Sequence, residues 1–242
     1  MTSRESAETL ERRAEDEISP EESHRDEFVV YGYMEKNPDD EFTRLVREKT
    51  IPMDRAYRLL MQMARDPETK VQRRDLLELV IDYERWVSRE KNRPVSIIIF
   101  DIDHFKDINT ELNHVGGDQV LVRVAETLQQ GVRQSDDLLP HQSTQGEAVT
   151  RWGGEEFAVV LPRVNLEQAQ RVADRIRVRV ENDLQNIRPG GQPVTVSAGV
   201  ANYDRALHPD AKSFLEDADQ QLFAAKNAGR NTVYPPLSEP SE

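Results

Sequence analysis

A strand covered on both faces is the feature that most constrains how this chain folds. Residues 95–100, VSIIIF, form an apolar run rich in β-branched side chains, and Asp-Ile-Asp follows directly. A strand with one face in water alternates apolar and polar residues, whereas such a run is typical of a strand buried on both sides. The sheet that contains this strand must therefore be covered by helices.

Helical and extended patterns alternate along residues 71–234. Apolar side chains recur at helical spacing in several segments, and β-rich segments separate them. Two of the β-rich segments meet at Gly153-Gly154, which predicts a hairpin. The order predicts an α+β domain with a helix-covered sheet. The predicted helices are 71–91, 116–133, 165–184 and 213–229, and the predicted strands are 95–100, the hairpin 148–162, 193–203 and 231–234.

Charge and composition exclude several classes of protein. The chain has 242 residues, 45 acidic and 32 basic side chains, a formal net charge of −13 and no cysteine. Disulfides and thiolate zinc sites are excluded, and no nucleic-acid polymer is expected as a partner, because an acidic chain binds phosphate backbones poorly. No segment approaches the ~18 apolar residues of a membrane helix, and the N-terminus lacks the apolar region of a signal peptide. We therefore expect a cytoplasmic protein without membrane contact.

Residues 1–27 are predicted to be an acidic tail. Almost no large apolar side chains occur there, with Leu10 and Ile18 as the exceptions, so burial cannot offset the entropy lost on ordering. The segment is expected to be disordered or a solvated helix. It serves either to bind a partner or only to keep the protein in solution.

A helical extension is predicted for residues 28–65. An apolar patch, FVVYGYM, occupies 28–34 and precedes two helix-like pieces at 39–49 and 53–64. An apolar stripe on the second piece suits a helix that packs within the chain, or one that pairs two chains. The stripe consists of Met53, Tyr57, Leu60 and Met61.

Acidic side chains follow both the buried strand and the hairpin turn. Asp101 and Asp103 come where the apolar run ends, and Glu155 and Glu156 come directly after the glycine pair. Carboxylates of this kind hold hard cations such as Mg²⁺, although a lone acid at a strand end is more often simply solvated. The alternation of side chains along a strand predicts that one glutamate points toward Asp101 and the other away. Together these acids are a candidate divalent-cation site.

Two further segments contain residues suited to a nucleotide. Gly116-Gly117 precedes a predicted helix with Asp118 at its start. The Asp118 carboxylate either caps that helix or accepts two N–H groups from a guanine edge, which adenine does not offer. Near the C-terminus, Lys226 and Arg230 are four residues apart on one predicted helix face. They suit a triphosphate, and they are also typical of an ordinary basic helix end.

In their order along the chain, these segments resemble the GGDEF family of diguanylate cyclases, in its GGEEF variant. The resemblance covers about residues 66–234. It implies a palm-like α+β domain whose central, mostly antiparallel sheet is flanked by helices. The helical extension at 28–65 is then expected to be regulatory or to dimerise, and the proline-rich residues 235–242 to be a disordered tail. The matching strings are FDIDHFKDIN at 100–109, NHVGGD at 113–118, RWGGEEF at 151–157, VSAGVA at 196–201 and ADQQLFAAKNAGRN at 218–231.

The activity that the resemblance implies is a nucleotidyltransferase reaction. It joins two GTP molecules into cyclic di-GMP and releases two pyrophosphates, with Mg²⁺, or Mn²⁺ in its place, as cofactor. Each chain holds one GTP, so the resemblance also implies a homodimer of facing half-sites. A regulatory protein is expected to act at the N-terminal extension. Two alternatives stay open: a non-catalytic receptor for GTP or cyclic di-GMP that signals through protein contacts, and a related cyclase with relaxed base choice.

Roles for individual residues follow from the resemblance by position. The implied metal ligands are Asp101, Glu155 and the carbonyl of Ile102, and Glu155 is also the implied acceptor of the 3′-hydroxyl proton. The implied guanine readers are Asn109 and Asp118, and the implied phosphate contacts are Lys106, Lys226 and Arg230. Gly153 and Gly154 leave room for the phosphates, while Phe105 and His114 match positions near the pocket and are assigned mainly to packing.

The chain departs from the usual family pattern at two places. The opening pattern DxLTGLxNR corresponds to DPETKVQRR at 66–74, where Glu68, Lys70 and Arg73 differ from it. Beside the expected guanine pocket, Thr110 and Asn113 replace the more usual Asp and Gly.

A product-inhibition motif is a further expectation. The family's RxxD motif lies five residues before the glycine pair, and Arg133 with Asp136 matches it, but residues 137–152 intervene here, which is 11 more than usual. Either Arg133 and Asp136 bind cyclic di-GMP while the extra residues bulge outward, or the match is accidental.

Overall fold

The computed structural model describes residues 20–133 and 149–237, and it divides the chain into two units, Met1–Gln62 and Met63–Glu242. The first unit is helical: α1 spans Pro20–Lys36, α2 spans Glu41–Arg47, and α3 spans Met53–Met63. Asp40 caps α2 by accepting a hydrogen bond of 2.6 Å from the Thr43 N–H. The cap satisfies an amide that has no partner within the helix.

The helices of this unit correct part of the sequence prediction. Residues 20–27 begin α1, which agrees with the helical alternative for the acidic tail, and the apolar patch at 28–34 continues the same helix. Residues 1–19 lie outside the described part of the chain, as does the side chain of Met53. The other residues of the apolar stripe are buried within the single chain, which agrees with a packing helix; they are Tyr57, Leu60 and Met61.

A six-stranded sheet forms the centre of the second unit, in the order β1-β3-β4-β2-β5-β6. The three central pairings are antiparallel, whereas β1-β3 and β5-β6 are parallel. The structure therefore confirms the α+β class, with a mixed sheet whose parallel pairs lie at its edges. The strands are β1 Gln72–Arg73, β2 Val95–Ile102, β3 Val149–Arg151, β4 Glu156–Pro162, β5 Val196–Asn202 and β6 Val233–Tyr234.

Helices cover both faces of this sheet. All eight residues of β2 are buried, and they contribute alternately to two apolar clusters. Ile98 and Phe100 belong to the cluster with α5 and α6, while Ile97 and Ile99 belong to the cluster with α4 and α7. The two-sided burial predicted from the apolar run is thus confirmed. The helices are α4 Arg74–Lys91, α5 Phe105–Arg133, α6 Leu166–Asp183 and α7 Ala211–Asn227.

Helix α5 begins earlier than predicted and is broken near its start. Asn113 has a φ of 59° and a ψ of 176°, which interrupts the helical backbone. Its Oδ1 accepts a hydrogen bond of 3.0 Å from the Val115 N–H, so Asn113 caps the following helical segment. Asp118 lies within the helix and is not its N-cap, which corrects the structural alternative considered for that residue.

The predicted C-terminal tail is ordered at its beginning. Gln170 of α6 donates hydrogen bonds to the carbonyls of Pro235 and Pro236, at 2.7 and 3.2 Å. Residues 238–242 lie outside the described part of the chain.

Gly199 allows β5 and α7 to pack closely. A Cβ at this position would overlap the carbonyl oxygen of Ala218 and the backbone nitrogen of Leu222, and it would lie 2.8 Å from the Leu222 Cα. These are backbone atoms, which cannot move aside by a rotamer change. The contact fixes the distance between the sheet and the helix that carries Lys226.

We expect Gly199→Ala to lower the free energy of unfolding by about 3 kcal/mol or more, at the upper end of overpacking costs, because helix and strand must separate. Urea denaturation followed by circular dichroism measures this. Gly154→Ala is the matched control, since no described atom lies within 4 Å of its added Cβ. Equal stability of the two variants would contradict the close packing.

Candidate active site

Three carboxylates lie at one end of β2. Asp101 is the second-last residue of β2, and it is paired across the antiparallel ladder with Glu156 of β4. Glu155 directly precedes β4, and its carbonyl accepts a hydrogen bond of 3.3 Å from the Ile102 N–H. The hairpin and the end of the buried strand are therefore held together by backbone pairing.

Burial and mutual repulsion raise the pKa of all three carboxyl groups above their ordinary values. For Asp101, burial is the largest cause; the ion pair with Lys226 opposes it and the charge of Asp103 adds to it. For Glu155 and for Glu156, burial is again the largest cause, and the charge of Asp101 is the next. Both glutamates are thus within electrostatic reach of Asp101, and the predicted alternation of their side-chain directions stays a prediction. Crowded acids of this kind are stabilised by a cation.

The nearest cations come from the end of α7. Lys226, in the last turn of that helix, places its Nζ 2.8 Å from Asp101 Oδ2. The helix then ends in a tight turn, where Gly229 has a φ of 114° and the Arg230 N–H donates to the Ala225 carbonyl at 3.2 Å. Arg230 therefore lies beyond the helix and not on the helix face that its spacing from Lys226 predicted. Its charge still opposes the rise in the pKa of Asp101.

Asp103 has a structural role in this arrangement. Its buried carboxylate accepts hydrogen bonds from the hydroxyls of Thr195 and Ser197, at 2.7 and 2.6 Å, and from the Asn231 N–H at 3.0 Å. Asn231 directly follows Arg230 in the chain. Asp103 therefore ties the turn that carries Arg230 to the ends of β2 and β5.

The carboxylates suit a divalent cation that takes only part of its ligands from the protein. Among residues 20–133 and 149–237, no group of three or more His, Asp or Glu is arranged to enclose a metal. Mg²⁺ usually takes only one or two protein carboxylates and completes its shell with phosphate oxygens and water. Asp101 and Glu155 supply such a pair. The predicted role of the Ile102 carbonyl stays a prediction.

The residues predicted to read guanine meet where the two parts of α5 pack together. A Cβ on Gly117 would overlap the Oδ1 of Asn109, so glycine allows that side chain to lie against the helix, next to Asp118. Asn109 is half-buried and Asp118 is exposed. Phe105 is buried in the apolar core, in agreement with its assignment to packing. Lys106 is exposed, and so is His114, which disagrees with the assignment of His114 to packing.

Of the two hairpin glycines, only Gly153 has a neighbour close to its position, and neither glycine is needed for an unusual backbone angle. Neither Gly153 nor Gly154 has a positive φ. A Cβ on Gly153 would overlap the carboxylate oxygen Oε2 of Glu156, whereas no described atom lies within 4 Å of a Cβ on Gly154. Gly153 therefore makes room for a carboxylate of the site, and the surface at Gly154 is open to a ligand.

Arg151 fastens this hairpin to the turn that precedes α4. Its Nη1 donates to Asp66 Oδ1 at 3.1 Å and also to Glu68, and its Nη2 donates to the Gly154 carbonyl at 2.8 Å. Beside it, the Arg74 guanidinium lies 3.9 Å from the ring centroid of Trp152. A cavity of about 380 Å³ opens there, and its lining includes both hairpin glycines but none of the three acids of the cluster. It is lined by Asp66, Pro67, Arg73, Arg74, Arg151, Trp152, Gly153 and Gly154.

Comparison with known proteins agrees with this geometry. Residues 63–232 match the family model described as "Diguanylate cyclase, GGDEF domain". The chain belongs to the GGDEF family. It is 32% identical over 173 residues to diguanylate cyclase DosC of Escherichia coli. That match covers 71% of this chain and 35% of DosC. The chain thus spans about a third of the length of that curated relative.

Two solved structures extend the comparison. The GGDEF domain of DgcB from Caulobacter crescentus, in complex with c-di-GMP, is 28% identical with a TM-score of 0.59, and the match covers 71% of this chain and 92% of that domain. Diguanylate cyclase SiaD from Pseudomonas aeruginosa, in complex with its activator SiaC, is 27% identical with a TM-score of 0.61. That match covers 95% of this chain and 85% of SiaD.

Helices of membrane-spanning length and hydrophobicity do not occur in the described part of this GGDEF protein.

Sequence reasoning missed three features of this GGDEF site. Glu156 was predicted only as one of the acids of the candidate cation site, and its pairing with Asp101 depends on β4 lying next to β2, which no local motif shows. The contacts of Arg151 with Asp66 and Glu68 had no signal in the spacing of those residues. The spacing of residues also gave no signal for the contact of Arg188 with Glu111 of α5, 77 residues away in sequence. The Arg188 guanidinium donates two hydrogen bonds to the Glu111 carboxylate.

The raised pKa values give a pH-dependent stability for the GGDEF domain. Between the ordinary carboxyl pKa and the raised one, the folded protein binds more protons than the unfolded chain, so stability falls as pH rises through that window. Glu155→Gln removes one of the three charges. We expect the variant to unfold at a higher urea concentration than the wild type at pH 8 without divalent cations. This difference in stability between the variant and the wild type should vanish below about pH 4, where the carboxyl groups are largely protonated in both the folded and the unfolded state.

Glu126→Gln, at an exposed position of α5, controls for the loss of one negative charge elsewhere. A Glu155→Gln variant that is no more stable than the wild type at pH 8 would contradict the electrostatic crowding.

Proposed function

We propose that this chain is a diguanylate cyclase that condenses two GTP molecules into cyclic di-GMP and two pyrophosphates. The observation that carries the proposal is the cluster of Asp101, Glu155 and Glu156 opposite Lys226 at the end of β2. Such a cluster suits a divalent cation and a polyphosphate together. Membership of the GGDEF family supports the same reaction.

The residues at this end of the sheet have separate roles in the proposed phosphoryl transfer. Asp101 and Glu155 hold Mg²⁺, or Mn²⁺ in its place. When bound, the metal neutralises the triphosphate and assists the departure of pyrophosphate. Lys226, Arg230 and Lys106 bind the phosphates. Glu155 accepts the 3′-hydroxyl proton.

The base is selected at the other end of the site. The Asp118 carboxylate accepts hydrogen bonds from two N–H groups of guanine, and Asn109 binds the same edge. Adenine lacks this pair of donors, so its binding would leave the carboxylate without partners. The proposal therefore favours GTP over a cyclase with relaxed base choice.

Each chain supplies only half of the reaction. A 3′-oxygen bound to one chain attacks the α-phosphorus bound to the other, a new P–O bond forms, and pyrophosphate leaves. The homodimer brings two such half-sites face to face. The helical first unit is proposed to control this pairing; its side chains Phe28 and Tyr31 are exposed, at 37% and 53%. It is also the proposed docking region for a regulatory protein, as supported by the SiaD complex with an activator.

Purified chain incubated with GTP and Mg²⁺ should yield cyclic di-GMP and pyrophosphate in a ratio of one to two, measured by nucleotide chromatography. ATP should give no cyclic product, because Asp118 has no matching donors on adenine. The rate per chain should rise with protein concentration in step with the dimer fraction measured by analytical ultracentrifugation.

Glu155→Ala should lower the rate by at least about 10²-fold, since it removes both a metal ligand and the proton acceptor. GTP binding without any product from the wild type would favour the non-catalytic receptor instead. Full activity of an isolated monomer would contradict the half-site arrangement.

A product-binding site at the end of α5 is a second part of the proposal. Arg133 is the last residue of α5 and is exposed, while Asp136 lies outside the described residues. An arginine pairs well with the guanine or phosphate groups of cyclic di-GMP. The DgcB domain, which binds c-di-GMP in its solved complex, supports a product site on a related domain.

Arg133→Ala should weaken cyclic di-GMP binding by at least about tenfold, as expected for the loss of a charged hydrogen bond, measured by isothermal titration calorimetry. It should also raise the product concentration needed for half inhibition. Arg123→Ala, almost three turns earlier on an exposed position of α5, is the matched control. Unchanged product affinity of Arg133→Ala would mean that the RxxD match is accidental.

A further inference from the structure

One ion pair joins the acid cluster to α7. The Lys226 ammonium lies 2.8 Å from Asp101 Oδ2, and the Asp101 side chain is only 7% exposed while that of Lys226 is 30% exposed. A buried carboxylate needs a nearby positive charge. Lys226 supplies it from a position where the end of a helix also favours a cation.

Lys226 is the cation that the three acids share. It opposes the rise in the pKa of Asp101, of Glu155 and of Glu156 alike. Among the other cations, Arg230 acts on Asp101 and Arg74 acts on Glu156. The cluster therefore has one common counter-charge, carried on a flexible four-carbon stem.

A divalent cation at this site would be ligated by the same carboxylate. If one carboxylate binds both an ammonium and a metal ion, the two cations lie within a few ångströms of each other. At that distance they repel each other strongly. The Asp101 carboxylate can hold either the Lys226 ammonium or the metal ion at short range. Lys226 must therefore move away when the metal is bound. The exposed fraction of Lys226 leaves it a path outward.

We propose that Lys226 is an exchangeable counter-ion, which leaves Asp101 when a divalent cation binds and then takes a phosphate of the nucleotide. The inference rests on the proposed function and adds to it a coupling between the two ligands. Without a nucleotide, Lys226 competes with the metal for Asp101. With a nucleotide, the phosphate holds the ammonium away, so each ligand strengthens the binding of the other.

The test uses the full chain, freed of divalent cations, and Mn²⁺ alone as the probe. Free Mn²⁺ is measured by electron paramagnetic resonance for the wild type and for Lys226→Met. The variant should bind Mn²⁺ at least about tenfold more tightly than the wild type, because a unit positive charge next to the metal is removed. A GTP analogue with a methylene group between the α- and β-phosphorus atoms should increase Mn²⁺ affinity less in the variant than in the wild type.

Two further variants separate exchange from a general charge effect. Lys226→Arg keeps the positive charge and should keep the weak nucleotide-free binding of the wild type. Lys212→Met removes a lysine from the first turn of the same helix, where it lies 3.5 Å from Glu216, and should leave Mn²⁺ affinity unchanged. If Lys226→Met is poorly stable, its melting temperature should still rise more with Mn²⁺ than that of the wild type, since tighter binding stabilises the folded state.

Mn²⁺ affinity of Lys226→Met equal to or weaker than that of the wild type would overturn the exchange. An equal increase in Lys212→Met would also overturn it, because the effect would then be one of net charge. Cyclic di-GMP formation by the wild type is measured separately. If the wild type forms no cyclic di-GMP while Lys226→Met binds Mn²⁺ more tightly than the wild type, the proposed function is refuted and the exchange still holds.

Discussion

The crowding of three carboxylates at the end of a fully buried strand is the constraint on which the rest of the domain depends. Asp101 cannot move away from this place, because every residue of β2 is packed between two layers of helices. The hairpin brings Glu155 and Glu156 to the same edge by backbone pairing. The resulting repulsion has to be balanced by positive charge from elsewhere in the fold.

That positive charge depends on contacts far from the acids in sequence. Lys226 reaches Asp101 because Gly199 lets α7 lie directly on β5. Arg230 is held by the turn that Asp103 fixes through the Asn231 N–H. A site that opposes its own stability in this way is typical of catalytic centres, where activity and stability conflict.

Two departures from the family pattern replace glycine at positions where the backbone has a positive φ. Lys70 and Asn113 stand where the family usually has glycine, and their φ values are 60° and 59°. Both therefore adopt the left-handed conformation that glycine takes most easily, and Asn113 also caps the helix that follows it. Glu68, a third departure, adds a second carboxylate to the arginine that fastens the hairpin. Lysine and asparagine thus occupy backbone conformations that suit the glycine usual at these two positions.

The sequence by itself determined the buried strand, the order of helices and strands in the second unit, and the family, because apolar periodicity and short motifs are local properties of the chain. It also identified Asp101, Glu155 and Lys226 as residues of one site. Only the tertiary structure decided that Lys226 binds Asp101 directly, that Glu156 joins the cluster, that Arg230 lies beyond the helix, and that two-residue strands pair in parallel at the sheet edges. These features arise from contacts between residues distant in sequence, whose distances are set by packing and not by local pattern.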